Sequence, residues 1–396
     1  MPPGGRTDTD TPRRLRVALD ATALLGTRTG VAEFCLGALD ALRRRRELEV
    51  SAFAVSWRRR NRLPAEVPAG VVVAQRSMPA RPLQLAWRRS RHPAVEWFIG
   101  PIDVVHGTNF VVPPTRRAAR VVTVNDLTPM RYPELCHRSS LVYPELVRRA
   151  IGEGAWVQTP SAFVATEVVE ELGIDAARVR AIHYGIPARQ GGNTAQPAVG
   201  RGGEAGCPPP ITLPDGAHRY VLAVGTIEPR KDYPGLVAAF GQLAAEVPDV
   251  ALVVAGGAGW GMPAFERALE ACKWRDRIVC TGYLDRPSVF ELLDRAAVLA
   301  FPSLYEGFGF PPLQAMEAGV PVVATRAGSV PEVVGDGARL VSPGDTEELA
   351  AALVAVLTDD AERARLVASG RRRAALFSWD RCAEGLSRLY QDASGR

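Results

Sequence analysis

Phe301-Pro302-Ser303-Leu304-Tyr305-Glu306-Gly307-Phe308-Gly309-Phe310-Pro311-Pro312-Leu313-Gln314-Ala315-Met316-Glu317-Ala318-Gly319 is the stretch on which the fold turns. A buried strand over Ala297 to Phe301 runs into a loop, and Glu306 sits where that loop bends. Gly307 and Gly309 let the backbone pass close to a ligand with no Cβ atoms in the way. Pro311 suits the first helical position, where a missing N–H would have been an orphan anyway. The N–H groups of Phe308, Gly309 and Phe310 would then face whatever lies at the positive end of that helix, and a phosphate fits there.

Working outward, the second half of the chain repeats this strand-loop-helix pattern. The strand Tyr220 to Val224 leads into Gly225-Thr226-Ile227-Glu228-Pro229-Arg230-Lys231-Asp232 and a helix from Tyr233 to Ala244. Lys231 is one of only two lysines in the chain, the other being Lys273, so a lysine inside a motif carries more information than usual. The strand Val250 to Ala255 ends in Gly256-Gly257-Ala258-Gly259, which could pass for a dinucleotide loop but reads better as leaving room near a nucleotide. Arg277 to Cys280 with Thr281-Gly282-Tyr283-Leu284 follows, then a helix from Pro287 to Arg295. Ser329 and Asp345 read as helix starts, and a last helix runs from Phe377 to Tyr390.

The first half opens with a buried strand, Leu15 to Asp20, and a glycine-containing turn, Gly26 to Gly30, before a helix running toward Arg46. No G-x-G-x-x-G occurs there, which disfavours a dinucleotide. Leu48 to Val55 and Val71 to Val73 read as further strands. Three later strands end in polar residues: one at His106, one at Asn125-Asp126 and one at Ser161, whose hydroxyl is expected to cap the helix Ala162 to Leu172. Ligands of open α/β sheets bind outside the carboxyl ends of strands, so these three ends are expected to line one cleft. From Ala188 to Asp215 the composition shifts to Gly, Pro, Ala and Gln without apolar periodicity, the mark of a linker, part of it mobile.

Glu306-x-Phe308-Gly309 with a polar residue at 314, followed by Ala318-Gly319-Val320-Pro321-Val322-Val323-Ala324, resembles the Glu-x7-Glu signature of retaining GT-B glycosyltransferases of family 4. The resemblance runs from about Leu15 to Tyr390, leaving out the linker. It implies a GT-B fold, α/β, with two Rossmann-like domains facing across a cleft. The N-terminal, acceptor domain would be 1–187, the linker 188–215 and the nucleotide-sugar-binding domain 216–376. Residues 377–396 would form a helix packing back on the first domain. By the same resemblance Glu306 holds the donor sugar and stabilises charge at its anomeric carbon. The second glutamate of the signature, which grips the ribose, is here Gln314, an amide that accepts from a hydroxyl and donates as well, so altered ribose binding is expected. Arg230 and Lys231, in one loop with Thr226, match the pair that binds the donor diphosphate. Two fixed cations can stabilise a departing diphosphate without a metal. Gly30 corresponds to the family's glycine loop, and Gly282 and Tyr283 to its contacts with the base. His106-Gly107-Thr108-Asn109-Phe110 and Asp126-Leu127-Thr128-Pro129 with Tyr132-Pro133-Glu134 are similar to the mannosyltransferase-like branch. That branch has His-Asp where this chain has Asn125-Asp126, and its histidine assists the transferred sugar. Here His106 could partly substitute beside Asp126, with Asn125 and Ser161 on the acceptor side.

Composition sets the outer bounds. The 396 residues are enough for two full cores, and 47% hydrophobic with 23% charged residues is ordinary for a soluble globular chain. No apolar run reaches membrane-spanning length, and Met1 to Arg14 lacks a signal-peptide core. Six cysteines without C-x-x-C spacing indicate neither a zinc site nor a disulfide framework, and a reducing cytoplasm fits. Residues 1–186 carry 27 arginines against 18 acidic residues, +9, while the remainder is −4. Arg43 to Arg46, Trp57 to Arg60 and Trp87 to Arg89 could meet anionic headgroups at the inner membrane face. The basic residues lack the aromatic interleaving of a nucleic-acid module, so no nucleic acid is expected. The expected reaction moves a hexose, mannose from GDP-mannose as first choice, to a glycan, lipid-linked or small-molecule hydroxyl, with retention and with no cofactor or metal. The rival readings are a GT-B scaffold that has lost catalysis and a sugar-nucleotide epimerase.

Overall fold

The computed structural model describes residues 13–74, 76–187 and 211–396. The expected linker, 188–215, lies outside the described residues except for 211–215. The strands are β1 (Leu15–Asp20), β2 (Leu48–Phe53), β3 (Val72–Val73), β4 (Val104–Gly107), β5 (Ala119–Thr123), β6 (Trp156–Thr159), β7 (Val179–Ala181), β8 (Arg219–Val224), β9 (Val250–Ala255), β10 (Ile278–Gly282), β11 (Val298–Phe301), β12 (Val322–Thr325) and β13 (Ala338–Val341). They form a seven-stranded sheet in the order β3-β2-β1-β4-β5-β6-β7 and a six-stranded sheet in the order β10-β9-β8-β11-β12-β13. Every pairing described in either sheet is parallel.

Parallel sheets are covered by helices on both faces, so their central strands read as continuous apolar runs rather than alternating ones. Val-Ala-Leu-Val-Val-Ala of β9, Val-Leu-Ala-Phe of β11 and Val-Val-Ala-Thr of β12 are buried at every residue. The helix Tyr233–Glu246 packs Leu236, Val237, Phe240 and Leu243 into one core with β8, β9 and the helix Thr346–Thr358.

The chain divides into two compact units. One takes the described residues up to Thr123 together with Leu146–Gln158 and Trp379–Arg396. In it the closing helix, Trp379–Ser394, packs along the helix Gly30–Leu42, with Asp380 on Arg44 at 2.9 Å and Ser387 on Glu47 at 3.0 Å. The other takes Val124–Glu145 and the described part of Thr159–Ser378, and holds the six-stranded sheet.

Candidate functional site

Three charged side chains of the second unit converge at the carboxyl edge of its sheet. Glu306 follows β11 in the loop that the sequence placed there. Arg230 and Lys231 end the short 3-10 turn Pro229–Lys231 after β8, the neighbour of β11. One carboxylate oxygen of Glu306 lies 2.5 Å from the Lys231 ammonium, the other 2.6 Å from the Arg230 guanidinium. Arg230 also donates to the Tyr305 carbonyl (2.8 Å) and pairs with Glu228 (2.5 Å). The Lys231 ammonium stands 4.7 Å from the centre of the Phe301 ring, a cation–π contact. Burial alone would raise the Glu306 carboxyl, but the charges of Arg230 and Lys231 outweigh it and bring its pKa to about 2. At neutral pH the cluster is therefore a fixed carboxylate between two fixed cations.

The loop carrying Glu306 is seated by its neighbours. A Cβ on Gly307 would lie 1.8 Å from the Asn125 carbonyl oxygen, so only glycine permits this approach. Ser161 donates to the Gly307 carbonyl (3.0 Å), and Ser329 donates to the Glu306 carbonyl through both its amide (2.9 Å) and its hydroxyl (3.1 Å). Gly309 has φ 109° and caps the helix Phe310–Ala318, whose Pro311 stands in the first turn. The first amides of that helix thus lie three to four residues beyond Glu306, with Gln314 half-buried one turn further on. The rings of Phe308 and Phe310 pack against Tyr184 at 5.0 and 5.6 Å.

The remaining expected residues fall as follows. Thr226 is half-buried in the loop before Arg230, and Gly282 (φ 71°), the last residue of β10, and Tyr283 just after it are exposed. The Gly256–Gly259 turn serves backbone packing: a Cβ on Gly256 would stand 1.8 Å from the Gly225 carbonyl oxygen. Asp126 is half-buried, accepts from the Thr128 amide (2.9 Å) and adds its negative charge to the surroundings of Arg230. Asn125 accepts from the Tyr184 hydroxyl at 2.9 Å. Ser161 is fully buried, accepts from the Val164 amide as the helix cap and reaches Gly307, so it seats the loop rather than facing an acceptor. Gly30 is exposed in the first unit, at the start of the helix Gly30–Leu42.

His106 requires a correction. It is fully buried in the first unit, with Nδ1 2.7 Å from the Tyr390 hydroxyl and Nε2 2.8 Å from the Thr123 hydroxyl. Thr123 donates to Gln158 (2.7 Å), so it accepts from a protonated Nε2, and Nδ1 accepts from Tyr390. Burial lowers the pKa of the ring to about 3. With both nitrogens engaged and no exposure, His106 has no atom to offer a sugar, and the expectation that it lines the site with Asn125-Asp126 and Ser161 fails.

Two features escaped the linear reading. Glu332, expected only to open a helix, accepts from the amides of Ala162 and Phe163 (2.8 Å each) and from His183 Nε2 (2.6 Å). Tyr305 joins its hydroxyl to Glu167 and to the Leu127 amide. Neither partner set shares a sequence spacing that could have announced it.

Residues 210–373 match the family described as Glycosyl transferases group 1. The O-antigen chain mannosyltransferase B of Escherichia coli is 29% identical over 317 residues, covering 78% of this chain and 81% of that protein. Sucrose-phosphate synthase of Thermosynechococcus elongatus superposes with a TM-score of 0.72 at 19% identity, over 96% of this chain and 99% of that one. Anabaena Alr3699/HepE, solved with UDP and glucose, gives a TM-score of 0.66 at 16% identity, over 96% and 100%. Residues 210–373 therefore form a domain of the glycosyl transferases group 1 family, and the fold is that of the GT-B glycosyltransferases.

Proposed function

We propose that the protein transfers a hexose from a nucleoside diphosphate sugar to an acceptor hydroxyl with retention of anomeric configuration. The observation that carries this reading is the convergence of Arg230, Lys231 and Glu306 just before the amide end of the helix Phe310–Ala318. A departing diphosphate gathers negative charge, and two fixed cations with a row of amides stabilise that charge without reorganising. They would do here what a divalent cation does in metal-dependent transfer. Glu306, held ionised, would stand beside the anomeric carbon and stabilise an oxocarbenium-like state, and the leaving phosphate would take the acceptor proton. Thr226, Gly282, Tyr283 and Gln314 would contact the nucleotide, while Asp126 and Asn125 would border the acceptor. The similarity to a mannosyltransferase over most of both chains supports GDP-mannose as donor.

The test is turnover of GDP-mannose beside UDP-, ADP- and dTDP-hexoses, with the product anomer read by NMR. Preferential consumption of GDP-mannose and an α-configured product are expected. An inverted product would refute retention, and binding of several donors without turnover of any would favour a scaffold.

The acceptor side includes a second proposal, peripheral contact with the inner membrane face. Among the described residues no helix is long and apolar enough to cross a membrane. Trp57 and Trp97 are about three-fifths exposed, and the helix Ala80–Arg89 carries Arg81, Arg88 and Arg89 with an exposed Leu85. Exposed aromatic and basic residues together favour an anionic interface. Cosedimentation with phosphatidylglycerol vesicles, reversed by 0.5 M salt as screening requires, is expected; equal partition to phosphatidylcholine vesicles would contradict it.

A further inference from the structure

Tyr305 precedes Glu306 and ties together four segments of the second unit. Its carbonyl accepts from Arg230 (2.8 Å), which joins it to the 3-10 turn carrying the cations. Its hydroxyl donates to Glu167 Oε2 (2.5 Å) and accepts from the amide of Leu127 (3.1 Å), the residue after Asp126. Glu167 lies on the helix Ala162–Leu172, only 4% exposed, and its other oxygen pairs with Arg131 at the end of the short helix Thr128–Arg131. Arg131 in turn reaches Glu171 at 3.2 Å. The Tyr305 ring packs on Tyr132 at 5.1 Å. A buried carboxylate is costly unless paired, and an apolar residue would fill the same space at less cost. What the carboxylate adds is direction: it aims one hydroxyl, and that hydroxyl holds the Asp126 loop at a set distance from the Glu306 loop.

We propose that Tyr305, aimed by Glu167, is a positioning residue that sets Glu306 against the Asp126 loop for the transfer step. The inference rests on the transferase reading above. It separates binding from chemistry, because Arg230, Lys231 and the helix amides do not depend on the Tyr305 hydroxyl for their contact with a diphosphate. Removing the hydroxyl displaces the carboxylate from the breaking bond while leaving the diphosphate subsite intact. An interaction that matters only in the transition state appears in kcat and not in KM.

The experiment compares Y305F, E167Q, E167A and the double variant Y305F/E167A in steady-state transfer, with nucleoside diphosphate affinity and Tm measured in parallel. Y305F keeps the ring and is expected to lower kcat by about tenfold or more, with KM for the nucleotide-sugar and nucleoside diphosphate affinity within about twofold. E167Q keeps an acceptor for the hydroxyl and should stay within about threefold of the parent, whereas E167A should fall with Y305F. The double variant should be no slower than the worse single one, since both remove one device. Unchanged kcat in folded Y305F, or in E167A should Y305F not fold, would overturn the proposal. So would a KM that rises in step with a falling Tm, which marks general loosening. A parent protein that binds a nucleoside diphosphate yet turns over no hexose donor would overturn the transferase reading, and this inference with it.

Discussion

A histidine at the end of a strand beside a glycine invites a catalytic reading, yet His106 has both ring nitrogens satisfied by Tyr390 and Thr123 inside the first unit. Its burial has a consequence for stability. The ring stays neutral in the folded protein down to about pH 3, while an unfolded chain protonates it near the ordinary histidine value of 6.5. Between those values the unfolded state binds the extra proton, so the stability that the neutral ring contributes is lost as pH falls through that window. H106N should therefore flatten the dependence of unfolding free energy on pH between 6.5 and 3, by up to about 1.4 kcal/mol per pH unit. Urea midpoints at several pH values measure this; an unchanged slope would show that the ring titrates in the folded protein. Glu306 acts in the same direction at lower pH. Its lowered pKa gives stability that is present above the ordinary value of 4.5 and lost as pH falls through about 2. At this scale Glu306, Arg230 and Lys231 were legible because each sits in its own local motif. Tyr305 and Glu167 were not, since 138 residues separate them and neither breaks a local pattern.

At the scale of elements the sequence was read more securely, for physical reasons that can be named. Buried parallel strands leave apolar runs bounded by glycine, proline or polar residues, and β1 and β9 begin and end at the expected residues, while β6 stops at Thr159, two residues short of the expected Ser161. Ser161 caps its helix as its position before an apolar periodic run predicts. The helix after Glu306 begins at Phe310, one residue before the expected Pro311, because Gly309 takes the left-handed cap. Loops were less legible. Gly256 and Gly307 read as room for a ligand, whereas each makes room for another loop's carbonyl, at Gly225 and Asn125. The same missing Cβ serves either purpose, and only the fold distinguishes them. Glu332 shows the same limit, since a glutamate in the first turn of one helix also caps a second helix 169 residues away in sequence.

For the molecule as a whole, the two parallel sheets were legible from the alternation of strands and helices, and structural neighbours of the same architecture span 96% of the chain. Less legible was which segments group together. Val124–Glu145 and the residues from Thr159 pack with the six-stranded sheet, drawn there by contacts such as Ser161 with Gly307 and Tyr184 with Phe308. Those contacts bring the Asp126 loop to the carboxylate and cations on which the account depends. Titration calorimetry of GDP into the parent, E306Q and K231A, with turnover recorded on the same samples, tests that arrangement most directly. E306Q should bind GDP as tightly as the parent, or more so with the cations less compensated, and show no transfer. K231A should lose both, with affinity down about tenfold to a hundredfold for one charge-assisted bond to phosphate. Parent-like transfer by E306Q, or parent-like GDP affinity in K231A, would contradict a diphosphate held by the cations beside a working carboxylate.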